Sequence, residues 1–132
     1  MRIDYREDKD IDAGALQALF TAVNWESGRY PQQLQSAIAR SDYVVTAWDG
    51  GRLVGLMSAL SDGFMTAYFP YLVVHPDYQK RGIGTAIVQK VLENYRSCGR
   101  KVLIAYGHAV PFYEKCGFNV GEGKLPMSIS WL

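Results

Sequence analysis

Seven consecutive residues, Gln79-Lys80-Arg81-Gly82-Ile83-Gly84-Thr85, bring two cations and two glycines to a point where a strand-like pattern gives way to a helical one. Glycine has no Cβ, so the chain can turn sharply there and a ligand can come close to the backbone amides. The first N–H groups of the helix that follows lack intrahelical partners and carry the positive end of its dipole. Lys80 and Arg81 add full charges at the same spot. Such a cradle suits phosphate or pyrophosphate. It is not a P-loop, which closes on Gly-Lys-Ser/Thr, nor the dinucleotide fingerprint, which needs a third glycine. A tight strand-to-helix turn is the plainer alternative.

The elements that must position this cradle follow from periodicity. Leu72-Val73-Val74 is an apolar, β-branched run that reads as the end of a buried strand, stopped at Pro76. That strand, about Thr66 to Val74, contains Pro70, and a proline inside a sheet belongs at an edge or a bulge. After the cradle, Ile83, Ile87, Val88, Val91, Leu92 and Tyr95 line one side of a helix expected to reach Cys98, with Gly99 as a left-handed cap. Lys101 to Tyr106 is the next strand, parallel to the last because a helix joins them, with a right-handed crossover.

Earlier in the chain, Ile3 and Tyr5 alternate with charges as a short first strand. Asp10 or Asp12 can cap a helix carrying Ala15, Leu16, Leu19, Phe20 and Val23, and Pro31 opens a second helix buried through Leu34, Ala37 and Ile38. Tyr43 to Trp48 and Leu53 to Leu60 form a hairpin about Asp49-Gly50-Gly51, with Asp62-Gly63 as the following turn. Ala109 to Cys116 reads as a short helix. Leu125 to Leu132, alternating Met127, Ile129 and Trp131, reads as a last strand.

The string Val74-His75-Pro76 followed by Gln79 through Gly84 closely resembles the acetyl-CoA-binding motif of the GNAT superfamily, the GCN5-related N-acetyltransferases. Downstream, Phe112-Tyr113-Glu114-Lys115-Cys116-Gly117-Phe118 resembles that family's Phe-Tyr-x-x-x-Gly-Phe segment. The resemblance spans nearly the whole chain. It implies an α/β fold with a mixed, mostly antiparallel sheet, splayed fourth and fifth strands and helices on both faces. It also implies transfer of an acetyl group from acetyl-CoA to an amine by direct attack in a ternary complex. Gln79, Lys80, Arg81, Gly82, Ile83, Gly84 and Thr85 then hold the pyrophosphate. Leu72, Val73 and Val74 supply the strand whose backbone holds pantetheine and can donate an N–H to the developing oxyanion. Phe112 walls the cofactor. Tyr113 is the general acid for the leaving thiolate, since a phenol titrates above a thiol. The pattern departs where Tyr106-Gly107-His108 stands in place of the asparagine many members carry.

Composition bounds the rest. At 132 residues, with 48% hydrophobic and 20% charged residues, the chain reads as one domain over 1–132. Lys+Arg 14 against Asp+Glu 13 gives no basic excess for nucleic acid or an anionic membrane. No apolar run approaches a transmembrane length, no signal-peptide core is evident, and Cys98 and Cys116 have no metal spacing. A cytoplasmic protein without a metal is expected.

The acceptor side is less sharply marked. A protonated amine needs a group that attracts a cation and one that removes its proton. Glu26, in the irregular segment with Trp25 and Tyr30, and Asp62, in the turn before the bulged strand, are the catalytic carboxylate candidates. Both have plainer readings, as a solvated loop carboxylate and as a turn aspartate. Trp25 and Tyr30 either cover substrate or anchor the helices. His108 is a base, a cofactor contact or, the favoured reading, a cap; His75 reads as an exposed turn residue. A small amine with an apolar or aromatic body suits such a pocket; protein acetylation and a non-catalytic acetyl-CoA-binding module are the alternatives. The apolar last strand suggests a homodimer.

Overall fold

This computed structural model describes residues 2–132, and the two hydrophobic periods of the sequence become two kinds of layer in it. The elements are β1 (Asp4–Arg6), α1 (Ala13–Ala22), α2 (Pro31–Ala39), β2 (Tyr43–Asp49), β3 (Arg52–Ser61), β4 (Thr66–Val74), α3 (Ile83–Asn94), β5 (Arg100–Val102) and α4 (Val110–Lys115). Short 3-10 turns fill Glu26–Arg29, Pro76–Tyr78 and Gly107–Ala109. The sheet order is β1-β2-β3-β4-β5; every pair is antiparallel except β4 with β5. No helix among the described residues is long and apolar enough to cross a membrane.

Both faces of the sheet are covered, which is why β2 and β3 read as almost continuous apolar runs. On one face Leu16, Leu19 and Phe20 of α1 and Leu34 and Ile38 of α2 pack on Val44, Leu56 and Val73. On the other, Ile83, Ile87, Val88 and Val91 of α3 pack on Val45, Ala47, Val54 and Met57. Neighbouring residues such as Val44 and Val45 therefore serve opposite cores. Asp12 accepts the Ala15 N–H at 3.0 Å and so starts α1.

Helix α3 can lie this close to β3 because Gly55 faces it. A Cβ there would stand 2.9 Å from Ile87 Cδ1 and 3.3 Å from Ala47 Cβ. Gly55→Val is therefore expected to destabilise the protein by about 1–3 kcal/mol through overpacking. Thermal denaturation checks this; an unshifted midpoint would show that α3 does not bear on Gly55.

Pro70 sits where the expected bulge falls. β3 and β4 pair Ser58 with Tyr71 and then Leu60 with Tyr68, so Phe69 and Pro70 together oppose Ala59. On its other side β4 pairs with β5 only through Thr66–Tyr68, opposite Arg100–Val102. Beyond that point the two parallel strands diverge.

Four expectations need correction. Helix α3 ends at Asn94, not Cys98: Tyr95 turns inward, its hydroxyl donates to Asp42 at 2.6 Å, and Cys98 N–H bonds back to the Tyr95 carbonyl. Gly99 has no positive φ; it passes beside the Met65 carbonyl as the chain enters β5. β5 itself stops at Val102, because 103–106 has left β4. Residues 125–132 form no strand: the alternating pattern is present, but no strand lies alongside to pair with it.

Candidate functional site: the cleft between the diverging strands

Divergence of β4 from β5 opens a cleft of about 960 Å³. Its floor and walls include Leu72, Val73 and Val74 of β4, Leu103 to Tyr106 beyond β5, and Phe112 and Tyr113 of α4. The turn into α3 closes one end, through Gln79, Lys80, Gly82, Gly84 and Thr85. A second, shallower hollow of about 580 Å³ between β1, β2 and α3 contains none of the motif residues.

The cradle is built from backbone held in the left-handed region. Lys80 has φ +63° and Gly82 has φ +83°, the latter as the N-cap of α3 with no side-chain cap on the helix. Successive turns of this kind point amides into a concavity where an anion can sit. Gln79 Nε2 donates to the Val74 carbonyl at 3.0 Å and ties the loop to the end of β4. Tyr78 lies beneath: its hydroxyl donates to Asp49 at 2.5 Å, and the Arg52 and Arg81 guanidinium groups stand 5.5 and 5.6 Å from its ring. The Asp49 hydrogen bond, followed by burial, pushes the Tyr78 phenol up. His75 sits at a turn as expected, but it is half-buried and not exposed, and its Nδ1 accepts the Asp77 N–H at 3.1 Å.

The cradle residues divide by what they offer. Ile83 buries its side chain in the α3 core, so only its backbone faces the turn. Gly84 lies close to a neighbour: a Cβ would come within 3.3 Å of the Phe112 ring. Phe112 thus seats α4 against the first turn of α3 as well as lining the cleft. Tyr113 is half-buried between Phe112 and Phe118, with ring centroids at 5.2 and 5.8 Å. Burial first, and Cys116 second, pushes its phenol above the ordinary value, so it stays protonated at neutral pH.

At the other end of the cleft is an aromatic cluster that the sequence did not assemble. Phe20 and Tyr71 meet edge to face at 5.0 Å, Trp25 lies 6.0 Å from Tyr71 and 6.3 Å from Tyr106, and Tyr106 stacks on His108 at 5.8 Å and 10°. Ser27 Oγ and the Tyr71 hydroxyl share a hydrogen bond of 2.8 Å that pins the irregular segment to β4. Trp25 therefore both anchors and lines the cleft. His108 also lines it, and no capping bond from its side chain is present.

Neither carboxylate candidate lines the cleft. Glu26 is exposed and paired with Arg29 at 3.0 Å. Asp62 accepts the N–H groups of Phe64, Met65 and Thr66 at 2.8, 2.8 and 3.3 Å, which holds its carboxyl below the usual carboxylate value. The aspartate is spent on its own turn. Among the described residues, no group of three or more His, Cys, Asp and Glu could hold a metal ion.

A β4 bulge, a splayed parallel neighbour and an amide cradle at the next helix are the features that the resemblance in the sequence implies. The profile of the Acetyltransferase (GNAT) family matches residues 11–118, and the chain belongs to that family. Over 132 aligned residues it is 29% identical to "Histone acetyltransferase TAP1" of Glycine max, covering 89% of this chain and 56% of that protein. It is also 29% identical to "Serotonin N-acetyltransferase 2, chloroplastic" of Oryza sativa subsp. japonica, covering 86% and 59%. The chain thus spans between half and two-thirds of these relatives' length. The solved GNAT family protein SP0256 from Streptococcus pneumoniae TIGR4 superposes with a TM-score of 0.83 at 26% identity, covering 99% of this chain and 98% of that one.

Proposed function

We propose that the protein is an acetyl-CoA-dependent N-acetyltransferase whose acceptor is the primary amine of a small molecule with an aromatic or apolar body. The observation that carries the acceptor class is the far end of the cleft, where Trp25, Tyr106 and His108 line the wall and no carboxylate does. Faces of this kind stack on a flat body and attract a cation by about 0.5–2 kcal/mol. The name of the serotonin N-acetyltransferase relative points the same way.

The residues present fit acetyl-CoA: an unpaired extended strand for an arm that pairs as a strand does, and an amide concavity with Lys80 for the diphosphate. When bound, it supplies an acetyl carbonyl activated as a thioester. The amine nitrogen bonds to that carbonyl carbon and the carbon–sulfur bond breaks. Backbone N–H of Leu72–Val74 holds the carbonyl oxygen. Tyr113 gives its proton to the leaving sulfur, and His108, directly or through one water, takes the proton lost by the amine. Arg81 adds charge beside the cradle, while Gly82, Gly84 and Thr85 keep the approach to its amides open.

His108→Gln is expected to lower kcat/KM for the amine by about 10². Glu26→Gln and Asp62→Asn are expected to leave turnover within a few-fold. A rate unchanged in His108→Gln, or lost in either carboxylate variant, would move the base. For the acceptor class, thiol release is compared across arylalkylamines, amino sugar phosphates and lysine peptides. Arylalkylamines are expected to react fastest; a preference for peptides would overturn the small-amine reading.

A further inference from the structure

We infer that the hydrogen bond between Tyr71 and Ser27 is a latch that sets the acceptor specificity of the cleft, by holding Trp25 in its wall. This role rests on the acceptor class proposed above. Trp25 lines the cleft, whereas Ser27 and Tyr71 do not. They are positioning residues and act through the indole.

The Trp25 side of the latch is built locally. Helix α1 ends at Ala22, and the chain turns at Asn24, which has φ +59°. Asn24 N–H bonds to the Thr21 carbonyl at 3.0 Å and Trp25 N–H to the Phe20 carbonyl at 3.1 Å, the paired bonds of a Schellman turn. The apolar contact that accompanies such a turn is here Phe20 with Trp25, edge to face at 5.9 Å. Beyond the indole comes the 3-10 turn Glu26–Arg29, where Gln17 Nε2 donates to the Gly28 carbonyl at 3.0 Å. These ties all run to α1. The tie to the sheet is the 2.8 Å bond between Ser27 Oγ and the Tyr71 hydroxyl.

Tyr71 is aimed at that point by the β4 bulge. Phe69 belongs to the core on the α3 side, and strict alternation would send Tyr71 and Val73 after it. The extra residue inverts the phase: Leu72 and Val74 join Phe69, while Tyr71 and Val73 turn to the side of α1 and α2. The bulge beside which the cleft opens thus also supplies the latch for its aromatic wall. Ring packing alone would hold the wall less closely. Tyr71 lies 5.0 Å from Phe20 and 6.0 Å from Trp25, and aromatic pairs tolerate separations of about 4.5–7 Å. The rings leave the indole room to slide; a hydroxyl–hydroxyl bond does not. With the indole held, a flat amine meets a wall already in place. With it loose, the same amine must order the wall as it binds, and affinity falls.

The test compares Tyr71→Phe, Ser27→Ala and the double variant in the full chain. Each single change removes one hydroxyl and leaves the rings in contact. KM for an arylalkylamine is expected to rise about two- to tenfold, the range of one neutral hydrogen bond, with kcat and KM for acetyl-CoA unchanged. KM for a short alkylamine without a ring should not move. The double variant should lose no more than either single one, because the two hydroxyls make one bond. Calorimetry of the arylalkylamine on the CoA-loaded protein should show the same loss without turnover, and hydrogen exchange should quicken at 26–30 while α1 keeps its protection. Parental amine affinity in both single variants overturns the inference. So does a loss shared equally by the ringless amine, a loss that adds up in the double variant, or a parent with no affinity for the arylalkylamine. A parent that binds this amine and transfers no acetyl group contradicts the acetyltransferase reading alone, and the calorimetric comparison then decides the latch.

Discussion

Tyr113→Phe is expected to lower turnover by about 10²–10⁴ while leaving the affinity for CoA unchanged. The substitution removes one hydroxyl from a ring that Phe112 and Phe118 already hold on both sides, so packing of α4 survives. On the proposed mechanism, what is lost is the proton for the departing sulfur. Burial pushes the Tyr113 phenol up, so the acid form persists across neutral pH and its alkaline loss falls above the ordinary tyrosine range. The alkaline limb of the parent's pH profile should therefore lie high and be absent from the variant's residual rate. Steady-state kinetics with calorimetry on the same preparations checks both parts. A rate within a few-fold of the parent would remove Tyr113 from the reaction.

Gly82→Val carries the second large effect, on binding. Gly82 has φ +83° at the head of α3, a conformation that costs a β-branched residue about 1–3 kcal/mol. To relieve that strain the turn must rotate, and the amides of the cradle rotate with it. CoA affinity is expected to fall about tenfold or more, since 1.4 kcal/mol is one decade. Nothing lies within 4 Å of the added Cβ, so the effect is not overpacking of the core. Gly84→Val should also weaken binding, by a different route: its side chain strikes the Phe112 ring and lifts α4 from α3. Calorimetry showing parental CoA affinity in both would mean that this turn is not the anion site.

These residues also mark where sequence reasoning reaches. Local pattern was enough for the helical stripe of Leu16, Leu19 and Phe20, for the turn at Gly82, and for the bulge at Pro70, because each rests on chemistry within a few residues. The aromatic end of the cleft was not legible in that way. Trp25, Tyr71 and Tyr106 come from three separate segments, and only the sheet brings them together. Tyr71 backs Trp25 from the α1 side of the strand, edge to face with Phe20, and does not line the cleft itself. Carboxylates were sought near the acceptor because an ammonium wants one, yet Asp62 is held by its own turn and Glu26 by Arg29. The stretch 125–132 shows the limit most plainly. A period of two says that a strand can form but not which edge will receive it.

The central claim is direct acetyl transfer from acetyl-CoA to an amine, with both held in the cleft between β4 and the arm beyond β5. Of the two cysteines, Cys98 is buried in the core and Cys116 does not line the cleft; burial also pushes the Cys116 thiol up, away from the thiolate a nucleophile needs. Initial rates of CoA release, measured with acetyl-CoA and an arylalkylamine both varied, test this most directly. The account predicts amine-dependent release whose double-reciprocal lines intersect. Parallel lines would place the acetyl group on the protein between two half-reactions, and release indifferent to the amine would mean that no transfer occurs; either result contradicts it.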